Sequence, residues 1–63
     1  MNTKTTLTNG NRAVVIVNQD GYVFANLFVN VRNGIEHADI TGLCWSGATV
    51  AGAARWAAKQ LAA

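Results

Sequence analysis

"GYVFANLFVNVRNG" runs from residue 21 to residue 34, entered through Asp20-Gly21 and closed by Asn33-Gly34. In an extended chain, side chains alternate between two sides. Val23, Ala25, Leu27, Val29 and Val31 then share one face, and Tyr22, Phe24, Asn26, Phe28, Asn30 and Arg32 share the other. The first face is aliphatic. The second is aromatic, mixed with amides and a guanidinium. A strand with apolar groups on both sides needs two covers, and the rest of the sequence is read by asking what supplies them.

Working outward, Asn9-Gly10, Asp20-Gly21 and Asn33-Gly34 are the dipeptides favoured in two-residue hairpins, whose type I′ turns need positive φ at both central residues. They divide the chain into strands over Thr3–Thr8, Asn11–Gln19, Tyr22–Arg32 and Ile35–Trp45. Proline is absent, so nothing interrupts these runs. A turn on Asp20-Gly21 sets Gln19 opposite Tyr22, Val17 opposite Phe24 and Val14 opposite Leu27. A turn on Asn33-Gly34 sets Val29 opposite Ala38, Leu27 opposite Ile40, Ala25 opposite Gly42 and Val23 opposite Cys44. Both hairpins extend the same aliphatic face.

"TVAGAARWAAKQLAA", residues 49 to 63, supplies the first cover. Thr49 is a good N-cap, alanine is the best helix former, and Lys59 near the end complements the helix dipole. At 100° per residue, Val50, Ala53, Ala54, Ala57 and Leu61 form one stripe, with Arg55 and Lys59 opposite and Trp56 on the flank, over the sheet edge. Gly52 costs about 1 kcal/mol relative to alanine. The expected fold is α+β: an antiparallel meander of three to four strands followed by one C-terminal helix packed on one sheet face (βββα or ββββα), with residues 1–63 as a single domain.

The second cover is missing from the chain. In this register Val15, Val17, Tyr22, Phe24, Phe28, Leu43 and Trp45 lie on the open face, beside Asn26, Asn30, Arg32, His37, Asp39 and Thr41. Large aromatics offer roughly 150–250 Å² each, more together than a monomer usually leaves exposed in one patch. A chain of 63 residues is also marginal alone. The single Cys44 excludes an internal disulfide, and one His with one Cys leaves no four-ligand metal site within a monomer. Association therefore remains as the staple, and these seven residues are the candidate protein interface, with a homodimer or a hetero-protein partner as its occupant.

Catalytic patterns are weak. His37 and Asp39 share a face without a directed contact, and the pleat separates Cys44, expected on the core side, from His37. "WSGAT" lacks the glycines of a phosphate loop. No catalytic residue, cofactor or small-molecule substrate is assigned. There is no apolar run near 18 residues and no charged-then-apolar leader, so a soluble, cytoplasmic chain is expected, with no membrane partner.

Nucleic acid is the alternative partner, since aromatics interleaved with Asn and Arg make a stacking platform. The net charge of +2 and pI near 9.2 assist without demanding it. Arg12, Arg32, Arg55 and Lys59 are the candidate contacts. In element order the chain resembles the small DNA-binding domains of plant ethylene-response factors and phage-integrase arm-binding domains. Locally the likeness rests on "TVAGAARWAA", residues 49 to 58, about a sixth of the chain. Those domains load their strands with Arg, Lys and Trp, whereas here only Arg12 and Arg32 would stand there. The leading expectation is a non-enzymatic interaction or modulator protein, of the kind phages and plasmids encode, working through the open face.

Overall fold

The computed structural model describes residues 2–31 and 38–62. Four strands, β1 (Thr3–Asn9), β2 (Arg12–Gln19), β3 (Tyr22–Val29) and β4 (Asp39–Gly47), form one antiparallel meander in sequence order, followed by helix α1 (Val50–Ala62). The architecture is ββββα, with the N-terminal segment as the fourth strand. The turn at Asn33-Gly34, the start of the last strand at Ile35, and the candidates Arg32 and His37 fall outside the described residues.

The central hairpin forms as its turn chemistry dictates. Asp20 and Gly21 both have positive φ (53° and 84°), and the pairs Gln19↔Tyr22, Val17↔Phe24 and Val14↔Leu27 follow. In the first hairpin the two turn residues are Gly10 and Asn11 rather than Asn9 and Gly10, because Asn9 pairs with Arg12. Gly10, at φ 62°, takes the first central position, the glycine site of a type II′ turn.

The β3–β4 register departs from expectation. Val29 pairs with Asp39 instead of Ala38, and Phe28 with Ile40, a slip of one residue that exchanges the faces of β4. Asn30 adopts φ 59° just where β3 ends, and its Nδ2 donates to Asp39 Oδ2 at 2.6 Å, anchoring the slipped strand. Further along, three residues, Thr41, Gly42 and Leu43, stand against Leu27 alone, before pairing resumes at Asn26↔Cys44. Gly42, at φ 85°, supplies the left-handed residue this bulge needs. The Thr41 hydroxyl holds it together, donating to the Leu27 carbonyl at 3.0 Å and accepting from the Leu43 amide at 3.1 Å.

One core results, between α1 and one sheet face. Val14, Ile16, Val23, Ala25, Leu27, Ala53 and Ala57 are buried together, with Leu7, Trp45, Trp56 and Leu61 packed against them. Ala53 and Ala57 are fully buried, the small residues that let α1 approach the sheet. Val50, expected in the same stripe, is 41% exposed at the first helical position. Both helix ends are tied down. Thr49 Oγ1 accepts from the Gly52 amide at 3.1 Å, an N-cap as expected. At the other end the first hairpin reaches across: Asn9 Nδ2 donates to the Leu61 carbonyl at 2.8 Å and Arg12 Nη1 to the Gln60 carbonyl at 3.1 Å. These donors satisfy carbonyls that a helix terminus leaves without partners.

Candidate functional site

Among the described residues two surfaces stand out beside the core: the sheet face turned away from α1, and a cleft where α1 meets β4.

The open face is built by alternation. Lys4, Thr6 and Thr8 come from β1, Ala13, Val15, Val17 and Gln19 from β2, Tyr22, Phe24, Asn26 and Phe28 from β3, and Ile40, Cys44 and Ser46 from β4. Val15 is only 9% exposed although α1 lies on the other side. It faces Asn26, so its diagonal neighbours on β3 are Phe24 and Phe28, both half-buried. Tyr22 and Phe24 make a tilted ring pair with centroids 6.0 Å apart, yet Tyr22 stays 59% exposed. The face thus carries a small apolar cluster of its own. Lys4 is its one charged side chain among the described residues.

Of the candidate interface residues, Val15, Val17, Tyr22, Phe24 and Phe28 lie on this face together. Trp45 does not. The slip of β4 places it opposite Ala25 on the helix side, packed against the core. Leu43 lies within the bulge, without a paired partner on β3, and is 54% exposed. Ile40 and Cys44 move the opposite way. Ile40, expected beneath the helix opposite Leu27, stands opposite Phe28 and is 75% exposed. Cys44, expected on the core side, is exposed opposite Asn26. Ile40 is the exposed apolar residue of the open face that sequence reasoning missed. The Asn-Gly signal alone gives no sign of the slip that exposes it.

The second surface is a cleft of about 330 Å³ lined by Trp45, Gly52, Arg55, Trp56 and Lys59. Its four helical residues fall at i, i+3, i+4 and i+7, one stripe of α1 bordering β4. Gly52 and Gly47 explain how Trp45 fits. A Cβ on Gly52 would lie 2.9 Å from Trp45 Cζ2, and one on Gly47 would lie 2.5 Å from its Cη2. The indole occupies space that only glycine leaves, while Trp56, as expected, sits at this sheet edge. Arg55 and Lys59 are exposed, and α1 contains no acidic side chain.

None of the three described candidate cations, Arg12, Arg55 and Lys59, lies on the aromatic face. Arg12 serves the helix C-terminus, while Arg55 and Lys59 belong to α1, across the sheet from the aromatic face. Asp39 is engaged by Asn30. Among the described residues no three His, Cys, Asp or Glu side chains gather as metal ligands, and no helix is long and apolar enough to cross a membrane. No protein-family model, curated protein sequence or solved structure matches this chain.

Proposed function

We propose that this chain is a non-enzymatic interaction protein whose open sheet face binds a second copy of itself. The observation that carries this reading is the apolar surface of Phe24, Phe28, Tyr22 and Ile40 on the side that α1 leaves bare, the last two 59% and 75% exposed.

Charge selects the occupant. With Lys4 as its single charge, the described part of the face offers little to a polyanion, whose binding scales with the phosphates neutralised. Identical apolar faces, by contrast, stack about a two-fold axis without opposing like charges at the centre. The area suffices. Four strands of about eight residues, at about 4.8 Å spacing and 3.3 Å rise, make a face of roughly 500 Å². Two such faces approach the ~1,000 Å² that a specific interface needs, at the weak end of stable dimers.

Light scattering or sedimentation tests this directly. At tens of micromolar the protein should have about twice its 6.7 kDa chain mass, dissociating on dilution. Phe24→Asp should be monomeric, since it buries an uncompensated carboxylate at the centre of the contact. A parent that stays at 6.7 kDa across the concentration series overturns the reading.

A further inference from the structure

We infer that the cleft between α1 and β4 is a subsite for one nucleotide of a single-stranded nucleic acid, the base resting against Trp45 and Trp56 and the phosphate between Arg55 and Lys59. This does not depend on the open face being a dimer contact, because the cleft lies on the helix side of the sheet.

Arg55 and Lys59 are one helical turn apart, and like charges at this spacing repel. No acidic residue occurs in α1, and none is among the described residues that line the cleft. A bound anion relieves that repulsion, and a phosphodiester matches both a guanidinium and an ammonium. The second element is aromatic. Both indoles border the same cleft as the cations, so a ligand held by the charges meets a stacking surface at once. Base-on-aromatic stacking beside basic side chains is how single-strand binders gain affinity without reading sequence.

Size and shape narrow the ligand further. At about 330 Å³ the cleft stands at the small end of ligand sites and has room for roughly one nucleotide. A membrane surface is the poorer match, since both indoles are half-buried at the sheet edge rather than projecting from it. An acidic peptide would satisfy the cations but would make no particular use of two indoles. With two cations the contact is shallow. On single strands each neutralised phosphate contributes about −0.7 to the slope of log K against log salt, so this subsite predicts a slope near −1.4 or smaller.

The test uses the full chain, following indole fluorescence and the anisotropy of a labelled ten-thymidine oligonucleotide at low salt. Binding should quench tryptophan emission and weaken as salt rises. R55E/K59E should reduce affinity at least tenfold, with R55Q/K59Q intermediate. Both positions are exposed, and unchanged thermal melts would establish that these variants stay folded. An abasic decamer should bind about tenfold more weakly than the thymidine strand. Phe24→Asp should bind like the parent, which separates this site from the open face. Four results each overturn the inference: no binding at low salt, undiminished binding by R55E/K59E, an abasic strand binding equally well, or anionic vesicles or an acidic peptide binding more tightly than the oligonucleotide. Loss of binding in Phe24→Asp with retention in R55E/K59E would place the site on the sheet instead, and also overturns it.

Discussion

Gly52 carries a cost whose reason is visible only in three dimensions. Helix propensity alone says that Gly52→Ala should stabilise the chain by about 1 kcal/mol. The added Cβ would stand 2.9 Å from Trp45 Cζ2 and 3.1 Å from Thr49 Oγ1. The indole has no easy retreat, since the same Cζ2–Cη2 edge also lies against Gly47. Overpacking of this kind typically costs about 1–3 kcal/mol, so the net effect should be destabilising, read as a lower urea midpoint at unchanged slope. In a Trp45→Leu background the same substitution should become neutral or favourable. If Gly52→Ala stabilises the parent, the ring does not sit where the two glycines leave room for it. Arg12 makes a similar point about side chains with two readings. As a surface cation it looks suited to a phosphate, but its guanidinium donates to the Gln60 carbonyl at the end of α1. Arg12→Ala should therefore lower stability by about 1–2 kcal/mol, seen in a far-ultraviolet melt, while leaving oligonucleotide binding unchanged.

The central hairpin and the helix were legible in the sequence because local chemistry and tertiary packing agree there. Asp20-Gly21 specifies a turn, the turn specifies register, and the aliphatic set of β2 and β3 meets the Ala53–Ala57 stripe of α1. The first turn is displaced by one residue, yet the faces survive. Moving the turn by one changes the pairing by two, and the period of a strand is two. β4 had no such protection. Its register depends on Asn30 turning left-handed before the loop, which slips the strand by one residue and exchanges its sides. A two-residue turn signal cannot convey this. Nor does it foretell the bulge that Thr41 and Gly42 absorb, so the turn signal alone places Trp45, Ile40 and Cys44 on the wrong sides. The β3 faces can be tested independently of β4. Leu27 is 5% exposed within the core, and Leu27→Ala should cost about 2–5 kcal/mol, enough to unfold so small a domain or leave it folded only where association contributes. Asn26→Ala, on the opposite face, should cost far less in the same denaturant titration. The reverse order would mean that β3 itself is slipped.

At the scale of the whole molecule, ββββα gives α1 one sheet face to cover and leaves the other bare. Cys44 offers a way to ask whether a second copy covers it. The slip that takes Trp45 to the helix side brings this thiol to the open face, exposed opposite Asn26 and one strand away from the Phe24 and Phe28 cluster. In a monomer it meets solvent freely, so a small thiol reagent should modify it at a rate independent of protein concentration. In a face-to-face dimer the partner's sheet lies over it, and modification must wait for dissociation. We therefore predict that the labelling rate of the parent falls several-fold as the protein is concentrated through its dissociation constant. Phe24→Asp puts a carboxylate opposite Ser46, on the strand that carries Cys44, and so sets its own baseline rate, but that rate should not change with protein concentration. This comparison also separates two kinds of dimer. Association through the outer edge of β1 would bring two copies together without covering the centre of the sheet, and Cys44 would then label quickly even in a species of twice the chain mass. A parent that is dimeric by mass, with Cys44 labelling at a rate that does not change with protein concentration, would assign the contact to that edge and leave the aromatic face uncovered.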